Sequence, residues 1–269
     1  KSKHKIVRGK KINKTIIANA DDQEINRLKK YKVDNFVSYG VDNPADYQAK
    51  DINLDEGLFF TANNFLVRTK FLGKFNVYNI LASLAIVEEL NFDLAKAAKC
   101  QLRGVPGRQE WIDPPAGGGQ DFKIMVDYAP EPESLKYLYK ALESINKNKL
   151  IHVLGSCGGG RDKARQPILG KMAGENADII IVTNEDPYDD DPQEIIDNVA
   201  KGVLDTDKIE GKDLFKVADR QKGIEKAMEL AKSGDLVLVT GKGAEQYICG
   251  PNGQMIAHDD RQVIKDLLK

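Results

Sequence analysis

The stretch LIHVLGSCGGGRDKARQPILGKMAGENADIIIVT, residues 150–183, carries one full turn of the pattern that decides the fold. Its two ends, Leu150–Leu154 and Asp178–Thr183, are apolar runs of strand length without polar alternation. Strands covered on both faces of a parallel sheet read this way. Between them a glycine-rich turn opens into a helix expected over Lys163–Glu175. The same rhythm continues in both directions. Upstream come a strand Gln109–Ile112, the turn Pro114–Gly119, a strand Phe122–Tyr128 and a helix Glu133–Ile145. Downstream follow a helix Pro192–Leu204, a short strand Leu214–Val217, a helix Arg220–Lys232 and a strand Leu236–Thr240. Strand–helix alternation of this kind is α/β, a doubly wound Rossmann-like domain whose ligands sit at the C-terminal ends of its strands.

The first hundred residues follow a different plan. Thr15–Asn19 and Asn35–Tyr39 are β-branched or aromatic and read as strands, with helical charge spacing over Asp22–Lys30 between them. Tyr47–Thr69 alternates polar and apolar residues around Leu54-Asp55-Glu56-Gly57 and predicts a hairpin meander. Asn76–Leu90 then turns helical, with Ile80, Leu81, Leu84 and Val87 at the 3.6-residue period. A further helix, Asp93–Leu102, is capped by Asp93 and stopped by Gly104 and Pro106. That stop divides the chain into residues 1–105 and 106–269, and proteolysis is expected first between Leu102 and Arg108.

Composition excludes several classes of function. Lys+Arg number 40 and Asp+Glu 41 in 269 residues, so no global basic field recruits nucleic acid. The opening segment is locally basic (Lys1, Lys3, Lys5, Arg8, Lys10, Lys11 and Lys14) and reads as a solvated segment before it reads as an anion-binding arm. No apolar run approaches the roughly 20 residues that span a bilayer, so membrane insertion is not expected. Cys100, Cys157 and Cys249 lie far apart without a CxxC, and His4, His152 and His258 lack metal-ligand spacing. Neither a disulfide framework nor a metal site is indicated, and a reducing, cytoplasmic setting is the default.

Three loops follow strands on one rim. Gly155–Asp162 mimics a phosphate loop, but Arg161 and Asp162 stand where Lys and Ser/Thr are required. Backbone N–H groups with a guanidinium still suit a carboxylate. Asn184–Asp191 brings Asp186 to the rim as an ammonium acceptor, while Asp191-Pro192 reads as a helix N-cap with Pro at the first position. Gly241–Tyr247 brings two glycines and Glu245. Arg161, Asp186 and Glu245 together complement the carboxylate and amines of an amino acid.

Six motifs in order now carry a family resemblance: Asn19-Ala20-Asp21-Asp22, Gly73–Asn79, Gly107-Arg108-Gln109-Glu110, Val126-Asp127-Tyr128-Ala129, Gly159–Lys163 and Gly241–Glu245. From about Thr15 onward the chain resembles the Mur ligases, and among them those that add the third residue of the peptidoglycan stem to UDP-N-acetylmuramoyl-dipeptide. The resemblance implies the end of a central ATPase domain followed by a complete Rossmann-like C-terminal domain. It implies ATP, with magnesium in the full-length enzyme, and an acyl-phosphate route to an amide. It assigns Asn79 to the adenine, Arg108 to the phosphates and Asp127 to the ribose. It assigns Arg161, Gly241 and Glu245 to the incoming amino acid, and places Asp186, Pro187 and Tyr188 on the stretch that separates diaminopimelate enzymes from lysine enzymes.

The departures are specific. A Gly-[Thr/Ser]-x-Gly-Lys-[Thr/Ser] loop, the magnesium-binding Glu, the carbamylated Lys and the UDP-binding domain are absent from the sequence. Pro130 and Ala244 stand where the family has His, and Tyr188 where its diaminopimelate enzymes have Arg. The expectation is therefore a chain with no catalytic residues of its own that does not turn over alone, and a pocket that favours L-lysine or another basic amino acid over meso-diaminopimelate. The rival readings are a non-catalytic binding module of this fold, or another member of the superfamily such as a folylpolyglutamate or cyanophycin synthetase. Residues encoded upstream of Lys1 separate the first of these from a ligase. A nicotinamide dehydrogenase is disfavoured, since no G-x-G-x-x-G opens the first strand–helix turn.

Overall fold

The structure is a computed structural model that describes residues 13–55, 57–99, 104–114 and 121–269. It divides into two compact units, Lys1–Leu102 and Arg103–Lys269.

The first unit is built on a five-stranded sheet in the order β1-β2-β3-β4-β5. Strands β1 (Thr15–Asn19), β2 (Asn35–Gly40) and β3 (Tyr47–Asn53) run parallel, and β4 (Leu58–Ala62) and β5 (Phe65–Thr69) complete an antiparallel meander. The connection from β1 to β2 holds a single helical turn, α1 (Ile25–Leu28), where charge spacing predicts a helix over Asp22–Lys30. That segment has no apolar stripe to bury, and none of the four residues of α1 is buried, so packing does not extend the turn. The long helix α2 (Phe75–Glu89) buries Val77, Ile80, Leu81, Leu84 and Ala85 against Tyr47, Leu58, Phe60 and Val67. Next, α3 (Leu94–Ala98) starts under Asp93, whose side chain accepts from the Lys96 N–H at 3.0 Å. It ends at the Lys99 C-cap, short of the predicted Leu102; residues 100–103 lie outside the described residues, as do residues 1–12 and most of the Pro114–Gly119 turn.

The second unit is a six-stranded sheet in the order β10-β9-β8-β11-β7-β6. Five strands are parallel: β7 (Lys123–Asp127), β8 (Leu150–Leu154), β9 (Ile179–Thr183), β10 (Leu214–Val217) and β11 (Leu236–Thr240). The edge strand β6 (Glu110–Trp111) runs antiparallel to β7. Every residue of β8 and β11 is buried, which is why their sequences show no alternation. Helices α7 (Arg220–Leu230) and α8 (Asp260–Leu267) cover one face, with Ile224, Ala227 and Ile264 packed on Ile151, Val153, Ile181, Val237 and Val239. Helices α4 (Pro132–Leu142), α5 (Arg165–Asn176) and α6 (Pro192–Leu204) pack in series, α4 on α5 and α5 on α6. Asp191 caps α6 by accepting the Gln193 N–H at 2.8 Å, with Pro192 at the first helical position, as read from the sequence. Beyond β11 a hairpin of β12 (Tyr247–Cys249) and β13 (Met255–Ala257) precedes α8. The result is the doubly wound α/β architecture expected.

Candidate functional site: the rim of the second sheet

Strands β9, β8 and β11 are neighbours in the sheet, so the loops that leave their C-terminal ends share one rim. Gly158 N–H donates to the Asp186 carbonyl (2.8 Å), and Gly159 N–H donates to Asp190 Oδ2 (2.9 Å). Tyr188 N–H donates to the Cys249 carbonyl (3.0 Å), and Gly241 N–H to that of Tyr128 (3.1 Å). Tyr188 sits in the left-handed region at φ +53°, and Gly159 is so close that a Cβ there would strike the Tyr188 ring.

These contacts redistribute the roles expected of the loops. The N–H groups of Gly158 and Gly159 are already used, which leaves the Arg161 guanidinium as the charged donor of this loop. That side chain is exposed and has no partner among the described residues. Asp186, read from the sequence as an ammonium acceptor, is buried and its two oxygens accept from Lys242 Nζ (both 2.8 Å), with the Cys249 N–H also on Oδ1 (2.7 Å). Lys242 in turn meets Glu245 Oε2 at 2.7 Å, and its side chain is 1% exposed against 44% for Glu245. Glu245 is the outward member of this trio. Pro187 and Gly241 are buried; Gly241, at φ +106°, lies so close to Glu185 that a Cβ would overlap its carboxylate. Asp189, Asp190 and Asp191 are each engaged, by the Asn252 N–H (2.7 Å), the Gly159 N–H and the α6 N-terminus respectively. Their charge therefore acts on a neighbouring ligand less than the sequence run DDD suggests.

Beneath the rim lie ionisable groups that no local pattern announced. Burial pushes the Glu185 carboxyl up to about 7, against the opposing pull of Arg220 and Lys242. Arg220 is fully buried and forms a bidentate pair with Asp260 (Nε to Oδ1 and Nη2 to Oδ2, both 2.7 Å). It also donates to the carbonyls of Thr240 (2.7 Å) and Asn184 (3.1 Å), fastening the ends of β11 and β9. His152, buried between the Tyr139 hydroxyl (2.7 Å) and Thr240 Oγ1 (2.9 Å), is driven down to about 3 by burial and by the charge of Arg220. Cys157 Sγ accepts from Arg165 Nη2 (2.7 Å), while Arg165 is also paired with Glu131. Cys157 and Cys249 are free thiols.

The nucleotide candidates occupy two places. Asp127 ends β7, is buried, and accepts the N–H groups of Gln109 (2.7 Å) and Ala129 (2.9 Å). Burial raises its pKa, against those hydrogen bonds and the Arg108 charge. The Arg108 guanidinium lies 4.4 Å from the Tyr128 ring centroid. Gly107, at φ +66°, lets this segment approach the Gly243 and Ala244 backbone where any Cβ would clash. In the first unit, Asn79 is exposed on α2 and donates to Asn76 Oδ1 (3.1 Å). Asp21 accepts three backbone N–H groups (Val41, Asp42, Asn43) and the Tyr78 hydroxyl; despite partial burial, these hold it down at about 2.

Among the described residues no group of three or more His, Cys, Asp or Glu side chains forms a metal site, and no helix is long and apolar enough to cross a membrane.

Comparison with known proteins agrees with this architecture. Residues 107–243 match the family model described as Mur ligase, glutamate ligase domain, and residues 1–87 match the Mur ligase middle domain. The chain is 36% identical over 239 residues to the UDP-N-acetylmuramoyl-L-alanyl-D-glutamate–2,6-diaminopimelate ligase of Syntrophomonas wolfei, covering 86% of this chain and 47% of that protein. Against the Bacillus cereus ligase of the same name it is 33% identical over 263 residues, covering 95% and 51%. A solved structure with that name superposes with a TM-score of 0.56 at 29% identity, covering 95% of this chain and 53% of the other. The UDP-N-acetylmuramate–alanine ligase of Thermotoga maritima, at 18% identity, shares the fold with a TM-score of 0.62 over 93% and 51%. The chain spans about half the length of the curated relatives it matches. With both of its units matched in order and the rim loops where the fold places a ligand, the chain belongs to the Mur ligase family.

Proposed function

We propose that this chain carries the amino-acid side of an ATP-dependent amide ligase of peptidoglycan precursor synthesis, one that joins the third amino acid to UDP-N-acetylmuramoyl-dipeptide. The observation that supports it most is the rim itself. An exposed guanidinium without a partner among the described residues (Arg161) and an outward carboxylate (Glu245) leave adjacent strand ends, while Asp186, Asp189, Asp190 and Asp191 are engaged within the protein. A zwitterion is the complement of that pair. Arg161 takes a carboxylate through two parallel N–H donors, and Glu245 takes an ammonium.

The nucleotide side fits as well. After accepting two backbone N–H groups, Asp127 keeps a lone pair on each oxygen for a ribose hydroxyl. Arg108, exposed beside Tyr128, offers charge to a phosphate, and Asn79 an amide to the adenine. ATP, when bound to the full-length ligase, supplies the phosphoryl group that activates the substrate carboxylate. The amino acid's neutral amine then attacks the carbonyl carbon of the acyl phosphate, the C–N bond forms, the C–O bond to phosphate breaks, and the amine proton leaves with the departing phosphate. The residues named here orient the amine and hold the nucleotide. Among the described residues no cluster of His, Cys, Asp or Glu side chains forms a magnesium site.

Two measurements test this reading. The pure chain releases no phosphate from ATP above background, because it carries no phosphate-loop Lys or Ser/Thr; release that survives Asp127→Asn contradicts the proposal. Calorimetry with L-lysine and meso-2,6-diaminopimelate then addresses the amino acid. Tyr188 provides no cation for a second carboxylate, so L-lysine binds about fivefold more tightly and Tyr188→Arg reverses the order. The relatives named above act, by name, on 2,6-diaminopimelate. A wild type that already prefers diaminopimelate removes the lysine preference and leaves the ligase reading in place.

A further inference from the structure

Lys242 lies inside the Gly241–Glu245 loop and carries no role in the reading above. Its flanking glycines, at φ +106° and +55°, turn the loop so that the lysine points inward, and its side chain is 1% exposed. A buried ammonium is strongly disfavoured unless its donors are met. Here three donors face three carboxylate oxygens, two on Asp186 at 2.8 Å and one on Glu245 at 2.7 Å. Asp186 is itself fixed by the Cys249 N–H. The order of exposure along this chain of contacts is informative: the Asp186 side chain is 12% exposed, Lys242 1% and Glu245 44%. Only the last can meet a ligand without rearrangement.

We infer that Lys242 is the positioning residue of the amino-acid site, a buried cation that transmits the fixed orientation of Asp186 to the ligand-facing carboxylate of Glu245. This rests on the reading of the rim as an amino-acid site. It changes the part played by Asp186, which is an inner strut and not an ammonium acceptor. It also fixes the charge of the site. Two carboxylates sharing one ammonium carry a net charge of −1, matched to one ammonium of a ligand whose carboxylate goes to Arg161. Without Lys242, Glu245 is a solvated surface side chain with several rotamers, and Asp186 is a buried carboxylate held by one backbone N–H.

A double-mutant cycle on the chain as it stands tests the inference, with L-lysine and meso-2,6-diaminopimelate each titrated calorimetrically. Glu245→Gln is expected to weaken the better ligand about tenfold, the loss of one charge-assisted hydrogen bond. Lys242→Met is expected to weaken it about as much. Because Lys242 acts through Glu245, the double variant binds no more than about twofold more weakly than Glu245→Gln alone. A merely structural lysine predicts that the two losses multiply, and that outcome overturns the inference, as does a Lys242→Met chain that binds like wild type. If Lys242→Met shows no cooperative urea transition by Trp111 fluorescence, Asp186→Asn takes its place. It loosens the same strut, and its loss must likewise vanish in the Glu245→Gln background. A wild type that binds neither amino acid removes the amino-acid reading, and this inference with it.

Discussion

Glu185 and His152 sit under the same rim and titrate in opposite senses, which makes the pH dependence of stability a sharp test of both. Glu185 is raised from 4.5 to about 7. Between those values the unfolded chain has lost its proton while the folded chain keeps it, so stability falls as pH rises through the window. His152 is lowered from 6.5 to about 3. There the unfolded chain holds a proton that the folded chain has given up, so stability rises with pH up to about 6.5. At roughly 1.4 kcal/mol per pH unit, the whole effect is about 3 kcal/mol for Glu185 and about 5 kcal/mol for His152. From pH 4.5 to 6.5 both act together and their slopes nearly cancel.

The perturbation is Glu185→Gln, which keeps the shape against Gly241 and removes the titration. Its stability should climb by about 2 kcal/mol between pH 4.5 and 6.5, where wild type stays nearly flat. His152→Gln should show the mirror image, a fall of about 2 kcal/mol, and the double variant should be flat again. Other groups, Asp127 among them, act alike in wild type and variants, so differences between profiles isolate the pair. The assay is urea unfolding at half-unit pH steps, followed by the fluorescence of Trp111. It is the single tryptophan and lies on β6, so it reports the second unit alone. A Glu185→Gln profile parallel to wild type would refute the reasoning, because it would mean that Glu185 titrates as an ordinary solvated carboxylate.

Two further outcomes follow from the loops. Gly241→Ala should lower the stability of the second unit by about 1–3 kcal/mol, since φ +106° strains any side chain and the new Cβ overlaps Glu185; an unchanged urea midpoint speaks against the close approach. Limited proteolysis should cut first between Leu102 and Arg108, where the compact units divide and Gly104, Val105 and Pro106 are exposed. A first cut within Phe122–Thr183 would show that the second unit does not hold together by itself.

What was legible in the sequence was what local pattern determines. Runs such as LIHVL and IIIVT announce buried parallel strands because every position meets a hydrophobic layer, and the strand-end rule then assembles the rim without reference to any contact. Asp191-Pro192 announces an N-cap because capping is a matter of three neighbouring residues. Charge spacing overestimated the length of the helix within Asp22–Lys30, which is the single turn Ile25–Leu28, because surface pairs contribute tenths of a kcal/mol and no apolar face extends the helix. The hairpin Tyr247–Ala257 left a readable trace, apolar triplets around Pro251-Asn252-Gly253, that the strand–helix rhythm obscured. The pairings beneath the rim left none. Lys242 finds Asp186 across 56 residues and Arg220 finds Asp260 across 40; such partners are set by which strand ends become neighbours. For that reason Asp186 reads from sequence as an open acceptor and is found occupied.

The distribution of charge on the rim has a physical logic that follows from this occupation. A buried ion pair stabilises a fold little beyond a hydrophobic substitute, because desolvation offsets most of its attraction. Stability is therefore a poor account of Lys242 with Asp186, or of Arg220 with Asp260. Orientation is a better one. Arg220 holds the ends of β9 and β11 at a fixed separation through the carbonyls of Asn184 and Thr240, and the loops that carry Asp186 and Glu245 leave from those same ends. Lys242 then joins these loops to each other. Among the described residues of these three loops, the Arg161 guanidinium and the Glu245 carboxylate remain outward on a frame whose inner charges are paired. On the proposed reading, a zwitterion bound there need not reorganise the protein, so little of its binding energy is spent on ordering the site. Asp189, Asp190 and Asp191 fit the same scheme: being engaged with Asn252, Gly159 and the α6 N-terminus, they build the wall beside the proposed site, whose outward charges are Arg161 and Glu245.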